Sequence, residues 1–100
     1  MKKSEIFSRV MTAVCNATEL SEGEILSPSR CEEIIDARML FVVFCAKEGL
    51  YPRIIAKHLG KTTRAVNYIL SSYHDRLMRG ENQLGFYAAE IRKELGNNSL

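Results

Sequence analysis

Arg64, Asn67, Tyr68 and Ser71 recur at helical spacing just downstream of Thr63. At 100° per residue they fall within roughly 100° of arc, one strip of a helix. Each carries a group that can bond to nucleic acid. Arginine pairs bidentately with guanine, asparagine with adenine, and tyrosine and serine hydroxyls reach phosphate. A strip that is merely solvated more often carries Glu and Lys. On the opposite side, Val66, Ile69, Leu70, Tyr73 and Leu77 span roughly 100°, the apolar stripe of a helix packed on a core.

A second helix must hold this one. Pro52 suits a first helical position, and the short helix it opens should end at Gly60. Thr62 or Thr63 then caps the longer helix, which should reach Met78 or Arg79 before Gly80. Ala56, Gly60 and Val66 stand at relative positions 0, +4 and +10, the spacing of a helix-turn-helix over about residues 52–79. Ala56 is small where the second helix crosses, Gly60 can take a positive φ at the reversal, and Val66 plugs back into the first helix. Ile55 and Ile69 supply flanking contacts. Lys61 departs from the pattern, since many such units place an aliphatic residue there.

The rest of the chain also reads at helical period, so the expected fold is all-α, a bundle of five or six helices. An extra N-terminal helix over about residues 4–17 should carry Ile6, Phe7, Val10, Met11 and Val14 on one face. Ser21-x-x-Glu24 and Ser29-x-x-Glu32 both have capping-box spacing. The second of these should open a helix running to Lys47, with Gly49 as its left-handed stop. Its half from Met39 to Ala46 is apolar all round, as in a helix with neighbours on every side. A last helix is expected from Asn82 or Gln83 to Leu95, with Leu84, Tyr87, Ala88, Ile91 and Leu95 inward and Gly96 as its stop. The tail 97–100 is expected to fray.

Length and charge narrow the function. One hundred residues hold one domain, taken as 1–100. The net charge of +2 is unevenly spread: residues 1–46 carry −2, residues 47–79 carry +5, and residues 80–100 carry −1. The positive charge therefore sits on the helix pair, where phosphates would lie, and His58 and His74 could add to it below neutral pH. The three cysteines are widely spaced and odd in number, which suits a reducing cytoplasm. The longest apolar run, Met39 to Ala46, is far short of the ~20 residues of a membrane span. Gly60-Lys61-Thr62 imitates the end of a P-loop, but Ile55 stands where its first glycine belongs, so no nucleotide is expected. No metal spacing, paired acid–base groups or nucleophile appears, so neither an enzyme nor a cofactor is expected.

Residues from about Thr18 to Leu95 resemble the C-terminal DNA-binding domain of the bacterial replication initiator DnaA, an all-helical, Trp repressor-like family. The matching stretches are Leu26-Ser-Pro-Ser-Arg30, Ile34-Ile-Asp-Ala-Arg38 leading into an apolar helix, and Tyr51-Pro52 opening the short helix, together with Gly60, Val66 and a closing helix. The resemblance implies that Arg38 contacts DNA and that the stretch around Pro52 lies near the backbone. The family's turn reads Gly-Arg-Asp-His-[ST]-Thr-Val, whereas this chain has Gly60-Lys61-Thr62-Thr63-Arg64-Ala65-Val66. Its DNA site should therefore differ from the family's box.

These readings converge on a sequence-specific binder of double-stranded DNA, acting in replication or transcription control, with the helix from Thr63 in the major groove. Arg64, Asn67 and Tyr68 would address base edges, and Thr62 and Thr63 the groove floor or phosphates. Arg38, Arg53, Lys57 and Lys61 would hold the backbone. Four such contacts imply a log–log salt slope of roughly −3.6. The alternative is a protein-interaction or dimerisation module, with the stripe of Ile6, Phe7, Val10 and Met11 as its interface and a second copy or a replication protein as partner. A stand-alone module of this kind, bacterial or phage, suits a phage, a mobile element or an accessory regulator.

Overall fold

The computed structural model describes residues 2–80 and 83–97. Asn82, offered above as a helix start, and residues 98–100 of the tail lie outside the described residues. Six helices follow in order: α1 Lys3–Thr18, α2 Glu22–Ile25, α3 Glu32–Lys47, α4 Pro52–Leu59, α5 Thr63–Arg79 and α6 Leu84–Asn97. No strand occurs among the described residues.

α3 is the axle, because its sequence offers no polar face in its second half. Met39, Leu40, Phe41, Val42, Val43, Phe44 and Cys45 are all buried, and every other helix touches it. A helix apolar all round is stable in water only with neighbours on all sides. Cys45 is fully enclosed, and burial pushes its thiol up to about 12, so it serves as an inert apolar filler. α1 lies across α3 and α6. Its stripe of Phe7, Val10, Met11 and Val14 is buried within this chain and Ile6 is half-buried, so the stripe covers the core.

Helix ends follow local chemistry, with two departures from expectation. The Ser21–Glu24 capping box forms: Ser21 Oγ accepts from the Glu24 amide at 3.1 Å, and Glu24 Oε1 accepts from the Ser21 amide at 3.0 Å. The Ser29–Glu32 box does not. Cys31 is the N-cap of α3 without a side-chain bond, and Ser29 Oγ accepts from the Cys31 amide at 3.1 Å. The cause lies on α3 itself. Arg38 reaches back and donates to the carbonyls of Ile25 (3.0 Å), Ser27 (2.5 Å) and Ser29 (3.2 Å), winding residues 26–30 around its guanidinium and keeping Ser29 outside the helix.

α1 ends without a glycine. Glu19 takes the left-handed conformation, φ 60°, and its amide donates to the Cys15 carbonyl at 2.8 Å. Gly96 does not stop α6 but lies inside it. An interior glycine costs only about 1 kcal/mol, and the last turn is held by buried Leu95, whose carbonyl accepts from Arg9 at 3.4 Å.

Candidate nucleic-acid interface

α4 and α5 pack on each other through a turn of three residues, Gly60 to Thr62. Gly60 has φ 68°, a left-handed value that an L side chain would strain. The Lys61 amide donates to the Ala56 carbonyl at 2.9 Å and that of Gly60 to Lys57 at 3.3 Å, closing the end of α4. Thr62 is the N-cap of α5, its Oγ1 accepting from the Ala65 amide at 3.0 Å. Ile55, Ala56 and Val66 are buried at the crossing, as their types require. Replacing Thr62 with Ala should remove one cap, at about 1 kcal/mol of stability measured by denaturant titration.

The outer side of this unit is polar and exposed. Arg53, Lys57, Lys61, Thr62, Thr63, Arg64, Asn67 and Tyr68 all reach solvent, and Tyr68 is 72% exposed. Residues 51–72 contain no carboxylate. Among the described residues, Arg53, Lys57, Lys61 and Arg64 form no ion pair. Exposed cations without local carboxylate partners leave a positive potential available to an anion. Arg53, Thr63 and Asn67 meet with Tyr51 and Pro52 around a shallow depression of about 370 Å³. Lys57 follows Arg53 one turn along α4. The inner side of α5 carries Val66, fully buried, with Ile69, Leu70, Tyr73 and Leu77 half-buried against the core.

Some expected site residues are otherwise engaged. Arg38 is half-buried, and its Nε and Nη2 donate to the carbonyls of the loop after α2. The acceptor side of the Thr62 hydroxyl is taken by the cap. Ser71 and Ser72 both donate back to the Tyr68 carbonyl, at 3.0 and 2.8 Å, leaving their hydroxyls only as acceptors.

Two arrangements were not visible in the sequence. His58 is exposed at its edge, yet its ring stacks on Phe7, with centroids 3.8 Å apart and planes 7° from parallel, so α1 supports α4 from behind. Arg76, one of the cations of the basic segment, turns inward. Its Nε donates to Asp36 Oδ1 at 2.6 Å, and its Nη2 lies 3.6 Å from Glu32 Oε1. The only available signal was an acid, Asp36, set between the apolar pair Ile34–Ile35 and Ala37 in the first half of α3.

Comparison with protein-family models, curated proteins and solved structures finds no match to this chain. What defines its class is the fold, an all-helical domain whose α4–turn–α5 unit presents a cationic outer side. No helix among the described residues is long and apolar enough to cross a membrane, and no three His, Cys, Asp or Glu among them gather to hold a metal.

Proposed function

We propose that this protein is a sequence-specific double-stranded DNA-binding module of the helix-turn-helix type, similar to the C-terminal domain of DnaA and to the Trp repressor group. The observation that carries the reading is the carboxylate-free stretch over residues 51–72, α4 and the first half of α5, where exposed Arg53, Lys57, Lys61 and Arg64 flank exposed Asn67 and Tyr68. α5 enters the major groove by its N-terminal half. Arg64, Asn67 and Tyr68 address base edges, Thr63 the groove floor, and Arg53, Lys57 and Lys61 the phosphates. Beyond Ser71 the outward residues become His74, Asp75 and Met78, and Asp75 would repel a phosphate, so the reading strip covers little more than two turns. The output is replication or transcription control, which places the protein in the cytoplasm. No catalysis, nucleotide or cofactor belongs to this reading.

With Arg38 committed to its loop, three cations remain for the backbone. The log–log salt slope of duplex binding should be about −2.7, at about −0.9 per phosphate, instead of the −3.6 of four contacts. Fluorescence anisotropy with a labelled duplex over a salt series measures it. A slope near zero would place binding on apolar docking and refute the reading.

A further inference from the structure

Arg76 and Asp36 join α5 to the axle helix just beyond the C-terminal end of the proposed DNA-reading strip. Asp36 is only 3% exposed, the one charged residue that is buried among those described. Its Oδ1 receives Arg76 Nε at 2.6 Å, while exposed Glu32 stands 3.6 Å from the other side of the guanidinium. Apart from this pair, α5 is held along its length by apolar packing on α3 and α4. Val66 is its only fully buried side chain among the described residues, and the half-buried apolar contacts along it are non-directional. The directional bonds at its start, Lys61 to Ala56 and Thr62 to Ala65, lie about 20 Å from Arg76 at 1.5 Å per residue.

The pair is poorly explained as a source of stability. Burial is the largest influence on the Asp36 carboxyl and pushes it above the ordinary carboxylate range, against the opposing pull of Arg76 and with a further push from Glu32. The folded chain then holds this proton more tightly than the unfolded chain does. Stability at this group is accordingly greatest in acid and is lost as pH rises through the raised range. Buried ion pairs of this kind are often matched or bettered by apolar residues of similar volume.

We propose that Asp36 and Arg76 are positioning residues: their pair fixes the roll of α5 on α3, and through it the choice among DNA sequences, without touching DNA. The choice among sequences rests on the DNA-binding reading above; the fixing of roll does not. A roll of about 20° moves a side-chain tip at the ~5–6 Å outer radius of a helix by about 2 Å. That is far more than the ~0.5 Å range over which an N–H···O bond keeps its length. A released α5 would keep its outward cations but lose its register on base edges.

The test is the double replacement Asp36→Leu with Arg76→Met, which leaves net charge unchanged. Its melting temperature should equal or exceed that of the wild type. Residual dipolar couplings of α5 amides, measured without DNA, should fit the α3 frame in the wild type and depart from it in the double variant. Affinity for a selected duplex should fall about tenfold or more, with affinity for random duplex unchanged. Asp36→Asn keeps an oxygen acceptor for Arg76 Nε and should keep the wild-type couplings. Wild-type couplings in the double variant would overturn the proposal, as would a lower melting temperature. Absence of duplex binding by the wild-type protein would instead overturn the DNA-binding reading, leaving the couplings to decide the role of the pair.

Discussion

Replacing Arg64 with alanine should lower affinity for the preferred duplex by about 1–3 kcal/mol, roughly 5- to 150-fold, and relax the preference at one base pair. Arg64 is exposed on the first turn of α5, beyond the Thr62 cap, and has no carboxylate partner among the described residues. An arginine so placed can give both of its forked donors to the O6 and N7 of a guanine. Losing a bidentate contact leaves those acceptors with one less partner at that base pair only, so the penalty depends on sequence. Lys57→Ala is the matched control. Lys57 is exposed on α4, where the proposal assigns it to phosphate, and its loss should weaken all duplexes alike and reduce the salt slope by about 1. Selection from a random duplex pool, followed by anisotropy on recovered and scrambled sequences, separates the two patterns. Unchanged specific and non-specific affinity in the Arg64 variant would remove α5 as the reading helix.

Phe41→Ala should cost about 3–5 kcal/mol of stability. Phe41 has no exposed surface and sits midway along α3. Its ring centroid is 6.1 Å from that of Phe7 and 6.0 Å from that of His58. It therefore backs the aromatic stack that joins α1 and α4 to the axle. α3 meets other helices on all sides, so no single neighbour can shift to fill the void. Against a total of about 5–15 kcal/mol for a natural domain, such a loss is a large fraction. At roughly 4–8 °C per kcal/mol for a domain of this size, melting should fall by at least about 12 °C. Circular dichroism on heating measures it. A fall of only a few degrees would mean that the core collapses onto the void and that α3 is less tightly enclosed than its burial implies.

The parts of the fold that depend on periodicity were readable from the chain. The two faces of α5 separate as residue spacing at 100° requires: Val66 and its companions lie inward, and Arg64, Asn67 and Tyr68 outward. Gly60 and Thr62 also act as their types suggest, because a left-handed turn and an N-cap are decided within a few residues. What escaped the sequence is what depends on distant partners. Ser29 has the spacing of a cap, but Arg38, nine residues on, holds its carbonyl and moves the helix start. Arg38 itself belongs to the loop because three carbonyls happen to converge on it in space. Arg76 reads as one more surface cation until α3 brings Asp36 to within 2.6 Å, forty residues away in sequence. Gly96 shows the converse: a local stop signal is overridden when buried Leu95 and Arg9 hold the last turn of α6.

Amide chemical-shift mapping during titration with a selected duplex bears most directly on the proposed interface. Shifts should concentrate on Arg53, Lys57 and the run from Lys61 to Ser71, and leave α1 and α6 nearly unmoved. Shifts confined to α1 or α6, or none at saturating duplex, would contradict a DNA-reading surface on α4 and α5.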